Sequence, residues 1–277
     1  SAIMVVYGII TETSIGGLLM AGFIPGVISA VFYAAIIVVR FKLNPALGQS
    51  VHGIPWRERF VTLPDALPIV FVIGAVIGGM YTGWATPTEV GALGAFIVFC
   101  MALLKRSLTG RGLLESLLDT VKLTVMIFSI IWGVLIFVRF LAFAGVSSSF
   151  SDWIVAIGVS PYLVLLFVIV LYTVLGMFMD GIGMLLLTLP VIFPVMTKLG
   201  FDPIWFGIIV VKMVEVGLLT PPVGLNCYVV SGVRPDIPLQ AIFRNVWPFV
   251  LMDFACIGLF TLFPGIVTFL PKLTMSG

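Results

Sequence analysis

Charge is scarce in this chain. Asp, Glu, Lys and Arg make up 9% of the 277 residues and hydrophobic types make up 61%. Soluble domains carry about 25% charged residues, so a water-soluble globular domain is excluded and a lipid bilayer is the expected surrounding. Net charge is only +2, which leaves no nucleic-acid footprint. The single histidine, His52, sits in a polar stretch, so a histidine-based metal or catalytic cluster is excluded within these residues. The three cysteines, Cys100, Cys227 and Cys256, lie in apolar runs without CxxC spacing and read as small buried hydrophobes. Without a Ser/His, Cys/His or metal cluster, an enzyme is not expected. No secretory leader is visible. The chain opens at Ser1 directly into SAIMVVYG, so an N-terminal portion is expected to precede it.

Long apolar runs dominate what is there. Residues 18–39, 63–80, 87–104, 123–143, 161–179 and 246–270 are each expected to form a membrane helix, since about 20 apolar residues span the hydrocarbon core. Residues 40–62 and 105–122 form two basic loops, both expected on the cytoplasmic face by the excess of Lys and Arg. The second contains RGLLESLLDTVK, whose apolar stripe suits the membrane interface. Residues 145–153, GVSSSFSDW, read as a Ser-rich loop, and 234–245 as a polar amphipathic stretch. Residues 7–26 and 230–249 share a pattern of apolar-Gly, polar turn, amphipathic stretch and proline (Pro25, Pro248), a hint of internal repetition.

The centre of the pattern is residues 216–230, VGLLTPPVGLNCYVV. No helix runs through Pro221-Pro222, because neither residue has an N–H and each ring clashes with a carbonyl one turn back. The carbonyls of Gly217 and Leu218 should lose their helical partners. At membrane depth such groups must be bound by something, and discontinuous helices are a known way to build a transporter site. Thr220 and Asn226 are the polar candidates here, with Thr220 expected to cap a half-helix starting at Pro221 whose positive end points at an anion.

Three further places hold candidates. In residues 78–89, GGMYTGWATPTE, Gly79 and Gly83 weaken the helix and Thr86 and Thr88 offer hard oxygens for an alkali or alkaline-earth cation. An ordinary loop in which Thr86 caps a helix starting at Pro87 fits the same residues. Asp180, followed by Gly181 and Gly183, ends an apolar run; a carboxylate at membrane depth is a functional candidate, the alternative being an interfacial Asp that starts the next helix, and residues 184–196 are too short to span unless that break lies inside the bilayer. Arg139, in LIFVRFLAF, either meets a carboxylate with its planar fork or snorkels to the polar end. Lys212 and Glu215 stand three apart and read as a structural pair; Asp253 reads equally as a proton or ion carrier or as a packing residue.

Taken in order, MVVYGIITETSIGGLLMAGFIPG, GGMYTGWATPTE, GMFMDGIGMLLLTLPVIFPV, LGFDPIWFG and GLLTPPVGLNCYVV resemble the large membrane subunit of TRAP (tripartite ATP-independent periplasmic) transporters, also called DctM. The resemblance covers nearly the whole chain. It implies an all-α integral membrane protein: a multi-span bundle with re-entrant helical hairpins and broken helices, arranged as an inverted-repeat, elevator-type transporter in the bacterial inner membrane. One membrane domain, 1–277, would hold the end of a first hairpin (1–26), a broken-helix region (63–104) and a second hairpin (205–230). The implied activity is sodium-coupled uptake of an organic acid, of C4-dicarboxylate or sugar-acid type. A periplasmic substrate-binding protein and a small DctQ-like membrane subunit would be the partners. The implied sodium (Na+) ligands are Ser1, Gly79, Gly83, Thr86, Thr88, Asp180, Thr220 and Gly224. Arg139, Ser1, Thr220 and Asn226 would face the substrate. The competing expectation is a membrane scaffold or assembly subunit without ion sites.

Overall fold

A computed structural model describes residues 2–45 and 63–275. Among them the protein is helical throughout: α1 (Ala2–Thr11), α2 (Ile15–Ala21), α3 (Phe23–Leu43), α4 (Leu63–Tyr81), α5 (Pro87–Leu104), α6 (Gly110–Phe143), α7 (Val146–Ala156), α8 (Pro161–Gly176), α9 (Gly181–Lys198), α10 (Pro203–Leu219), α11 (Leu225–Val233), α12 (Leu239–Leu262) and α13 (Gly265–Met275). Ile15–Leu43, α5, α6, α9 and α12 are long and apolar enough to cross a membrane. The chain is an all-α integral membrane protein.

It divides into two compact units, residues 44–130 and residues 1–43 with 131–277. In the smaller unit α4 packs on α5, with Gly79 facing Val90 and Gly94 facing Val76. Small residues at such contacts let two membrane helices approach closely.

The larger unit is built around α10, whose residues Trp205 to Val214 are all buried. A helix buried on every side needs cover on every side, and its one buried charge, Lys212, needs a partner. The cover comes from α1, α2, α8, α9 and α12. Gly207 lets the first two come close: a Cβ there would lie 2.6 Å from Leu18 and 2.8 Å from Tyr7. The Tyr7 hydroxyl donates to the Pro203 carbonyl at 2.8 Å, and the Trp205 indole N–H donates to the Phe260 carbonyl at 2.8 Å. That second acceptor is free because Pro264, four residues on, has no N–H. In the same way Pro194 strands the Pro190 carbonyl inside α9, and the Ser147 hydroxyl takes it at 2.9 Å.

Several boundaries differ from those expected of the sequence. Of the stretch 105–122 only 105–109 is a loop; from Gly110 the residues belong to α6, which runs unbroken for 34 residues. Arg111 pairs with Glu115 and Lys122 with Asp119 along the exposed surface of its first turns, and at 1.5 Å per residue the helix outruns a ~30 Å core. The Ser-rich loop 145–153 is mostly α7, entered through Gly145 at φ 66°. The amphipathic stretch 234–245 is largely absorbed into α12, leaving a turn where Arg234 pairs with Asp236 and holds its carboxyl below the usual range. The last expected span is two helices, because Phe263-Pro264 interrupts it. The first is jointed at Gly22, between α2 and α3.

Candidate functional site

Two interruptions of the helices meet in the larger unit. One separates α8 from α9 at residues 177–180; the other separates α10 from α11 at residues 220–224. They are held together where α8 and α10 cross. A Cβ at Gly176 would lie 2.8 Å from the Cα of Gly217, and one at Gly217 would lie 2.6 Å from the Cα of Gly176. Only glycine on both sides permits that approach. One residue beyond the crossing, the Val223 amide donates to the Met177 carbonyl at 3.2 Å. The start of α1 also reaches this place, since Ile3 lies 3.3 Å from a Cβ built on Gly181.

The backbone at the Pro221-Pro222 break is partly satisfied. Thr220 N donates to the Gly217 carbonyl at 3.2 Å, and the Thr220 hydroxyl donates to the Val216 carbonyl at 2.6 Å. Thr220 is 2% exposed. It therefore closes the end of α10 and does not cap a half-helix starting at Pro221. The following helix starts at Leu225 behind Gly224, which is buried at φ 52° and has no side-chain cap. With the ring of Phe243 only 2.6 Å from where a Cβ would be, glycine is required twice over.

What remains unpaired defines the chemistry. Among the described residues nothing donates to the Leu218 carbonyl, since the residues three and four further on are prolines. The Thr220 oxygen, having given its proton to Val216, keeps its lone pairs. These are hard oxygens of the kind that suit an alkali cation. On the other side of the break the Leu225 and Asn226 amides at the start of α11 have no acceptor among the described residues. Open amides at a helix N-terminus attract an anion.

The other sequence candidates fall in different settings. Asp180 is exposed and caps α9, accepting from the Gly183 amide at 2.9 Å. Helix α9 is 18 residues long, so the expectation that 184–196 is too short to span fails; Gly181 to Gly183 and Thr197 to Lys198 extend it. Asn226 is exposed. Arg139, on α6, is exposed and makes no hydrogen bond or ion pair among the described residues. Gly79, Gly83, Thr86 and Thr88 belong to the smaller unit. There Thr86 and Glu89 form a reciprocal capping box at the start of α5. The Gly78, Gly79 and Met80 carbonyls already accept from Thr82, Ala85 and Gly83. Thr88 is exposed. Ser1 lies outside the described residues.

Sequence reading missed the Gly176–Gly217 crossing, whose partners are 41 positions apart on different helices. It also took Lys212 and Glu215 as a pair and Asp253 alone. Lys212 Nζ in fact bonds both, at 2.9 Å to Glu215 and 2.6 Å to Asp253.

The family model described as "Tripartite ATP-independent periplasmic transporter, DctM component" matches residues 1–266. A C4-dicarboxylate TRAP transporter large permease protein from Pseudomonas aeruginosa is 34% identical over 275 residues, covering 98% of this chain and 63% of that protein. The sialic acid TRAP transporter large permease protein of Vibrio cholerae is 32% identical over 275 residues, covering 99% of this chain and 64% of that protein. A C4-dicarboxylate large permease protein from Rhodobacter capsulatus is 34% identical over 267 residues, covering 95% of this chain and 60% of that protein. The chain thus spans somewhat over half the length of these relatives. Broken helices in an all-helical membrane bundle agree with the match: the chain belongs to the DctM family, the DctM component of the tripartite ATP-independent periplasmic transporters.

Proposed function

We propose that the chain acts in sodium-coupled uptake of an organic acid, as part of a TRAP large permease in a bacterial inner membrane. The observation that carries this reading is the meeting of the two breaks, joined by Val223 N to Met177 O. One side offers carbonyl and hydroxyl oxygens to a cation; the other offers open amides to an anion. The oxygens of Leu218 and Thr220 would hold the sodium, with Gly224 shaping the turn and Asp180 alongside the first break. A bound cation lowers the cost of bringing a carboxylate out of water, so each ion favours the other, reciprocally.

The proposed acid is of C4-dicarboxylate or sugar-acid type. Its carboxylate would be met by the amides of Leu225 and Asn226 and by Arg139, whose guanidinium has no partner among the described residues. Delivery by a periplasmic substrate-binding protein and bracing by a small DctQ-like subunit belong to the same proposal. So does an inverted-repeat, elevator-type movement. It is supported by the similar succession of short helix, polar turn and proline-bearing helix in α1 to α3 and in α11 to α12. Ser1 and the residues 79–88 remain proposed sodium ligands.

The scaffold reading draws on a specific observation: Thr86 and Asp180 are both engaged as helix caps. The two readings separate in proteoliposomes holding the complete permease with its binding protein. Sodium-coupled transport predicts accumulation of the acid only under an inward sodium gradient. Equal uptake with choline in place of sodium contradicts it. A scaffold predicts that Thr220→Val leaves uptake intact.

A further inference from the structure

Helices α10 and α12 are pinned to each other twice, and the two pins are in step. The Trp205 indole N–H donates to the Phe260 carbonyl at 2.8 Å, and Lys212 Nζ donates to Asp253 Oδ1 at 2.6 Å. Seven positions, about two turns, separate the pins on either helix, so both belong to one antiparallel register. Helix α12 is braced in turn on α3 at three levels. The Ser29 hydroxyl donates to Cys256 Sγ at 3.9 Å, the Tyr33 hydroxyl donates to Asp253 Oδ1, and the Arg40 guanidinium donates to Asn245 Oδ1 at 2.9 Å. Asp253, which is fully buried, is thus the point where the three helices are joined.

Apolar side chains do not set such a register. Lipid tails are as apolar as leucine, so burial gives a membrane helix little reason to choose one height over another. A slide of α10 by one turn would put Val210 where Val214 sits and Ile209 where Met213 sits. The bond from Tyr7 to Pro203, the Trp205 pin and the close approach at Gly207 all lie in the first turns of α10. They leave the helix free to pivot about that end. At its far end the crossing with α8 is glycine on glycine. It permits close approach but has no side chain to interlock, so it does not resist sliding. Lys212 is the side chain that carries a bond from the middle of α10 to another helix. It stands eight residues, about 12 Å, before Thr220.

We propose that Lys212 and Asp253 are positioning residues: they fix the height and direction of α10 against α12 and α3, and so place the Leu218 and Thr220 oxygens against the first break. Neither residue touches the ion. The role at the site rests on the reading of those oxygens as sodium ligands; the placement of the break does not. A buried ion pair adds little stability over an apolar pair of like volume and is best attested as a device that specifies one arrangement. Asp253 Oδ2, buried without a partner among the described residues, is a further cost of keeping the pair here.

The triple variant Lys212→Met, Glu215→Gln, Asp253→Leu, made in the complete permease and purified in detergent, tests this. It removes the three charges together and strands none of them, so its melting temperature in choline should match or exceed that of the wild type. Two other readouts should move. The Val223 amide, followed by hydrogen exchange in choline, should exchange about tenfold faster than in the wild type, because its bond to Met177 opens more often. The sodium concentration at which the melting temperature begins to climb should be about tenfold higher, since a ligand constellation has to hold to within about 0.5 Å. Tyr33→Phe keeps the ring against Phe249 and removes one bond to Asp253. It should shift both readouts the same way by less, and it carries the test if the triple variant does not fold; wild-type values in both then overturn the proposal. A folded triple variant with wild-type Val223 exchange overturns it whatever sodium does. Faster exchange with an unchanged sodium response overturns the role at the ion site. Faster exchange in a protein whose wild type does not respond to sodium supports the placement and removes the sodium reading instead.

Discussion

The amide of Val223 and the carbonyl of Met177 join two helix interruptions that are more than 40 residues apart in the chain. The bond exists because Gly176 and Gly217 let α8 and α10 touch backbone to backbone just before each helix ends. The two unwound segments consequently behave as one structure.

Closing that gap should be destructive. Gly217→Ala sets a methyl 2.6 Å from the Gly176 Cα, where only backbone can yield. The expected loss is about 1–3 kcal/mol of stability, as for overpacking elsewhere, with Val223 pulled from Met177. Gly258→Ala, on α12 with no atom within 4 Å of the new methyl, is the control and should melt like the wild type. Equal melting of the two variants would show that the crossing tolerates a side chain.

Gly224 carries two separate demands. Gly224→Ala should suffer both the left-handed backbone, about 1–2 kcal/mol, and the collision with Phe243. Adding Phe243→Leu should recover the second part and leave the first. Full recovery in the double variant would mean that the backbone there moves freely.

Breaking the buried ion pair should be asymmetric. Lys212→Met strands Asp253, which is fully buried, and should cost about 3–5 kcal/mol. Asp253→Asn should cost clearly less, because Lys212 keeps Glu215. Thermal denaturation of the two variants in one detergent compares them directly. A milder Lys212→Met would reverse the assignment.

These features were unequally legible in the sequence. The Pro221-Pro222 break was visible because proline acts locally, through its missing N–H. The start of α5 was visible because Thr86, Pro87 and Glu89 are a complete local signal. The continuity of α6 was not, since Arg111, Glu115, Asp119 and Lys122 look like a loop until their pairing along one helix is seen. The serines of α7 misled for a similar reason: their hydroxyls serve backbone carbonyls, Ser148 at Gly145 and Ser147 at Pro190. Phe263-Pro264 hid inside a run apolar enough to pass as one span. The partners of Gly176 and of Lys212 depend on which helices pack together, and no local pattern carries that.

Arg139 should matter for transport and not for folding. It has no partner among the described residues, so Arg139→Ala should insert and melt normally while uptake by the complete permease is lost. Arg139→Lys should also be poor if the guanidinium grips a carboxylate with two bonds. Normal uptake by Arg139→Ala would remove the residue from the substrate site.

The direct question is whether the joined breaks bind sodium. A cation that binds only the folded protein raises its melting temperature with concentration, as RT ln(1 + [L]/Kd). In purified wild-type protein the midpoint should climb as sodium replaces choline at constant ionic strength. In Thr220→Val, which deletes the hydroxyl oxygen beside the free Leu218 carbonyl, the midpoint should be the same in both salts. Identical midpoints for the wild type in sodium and choline would contradict the account.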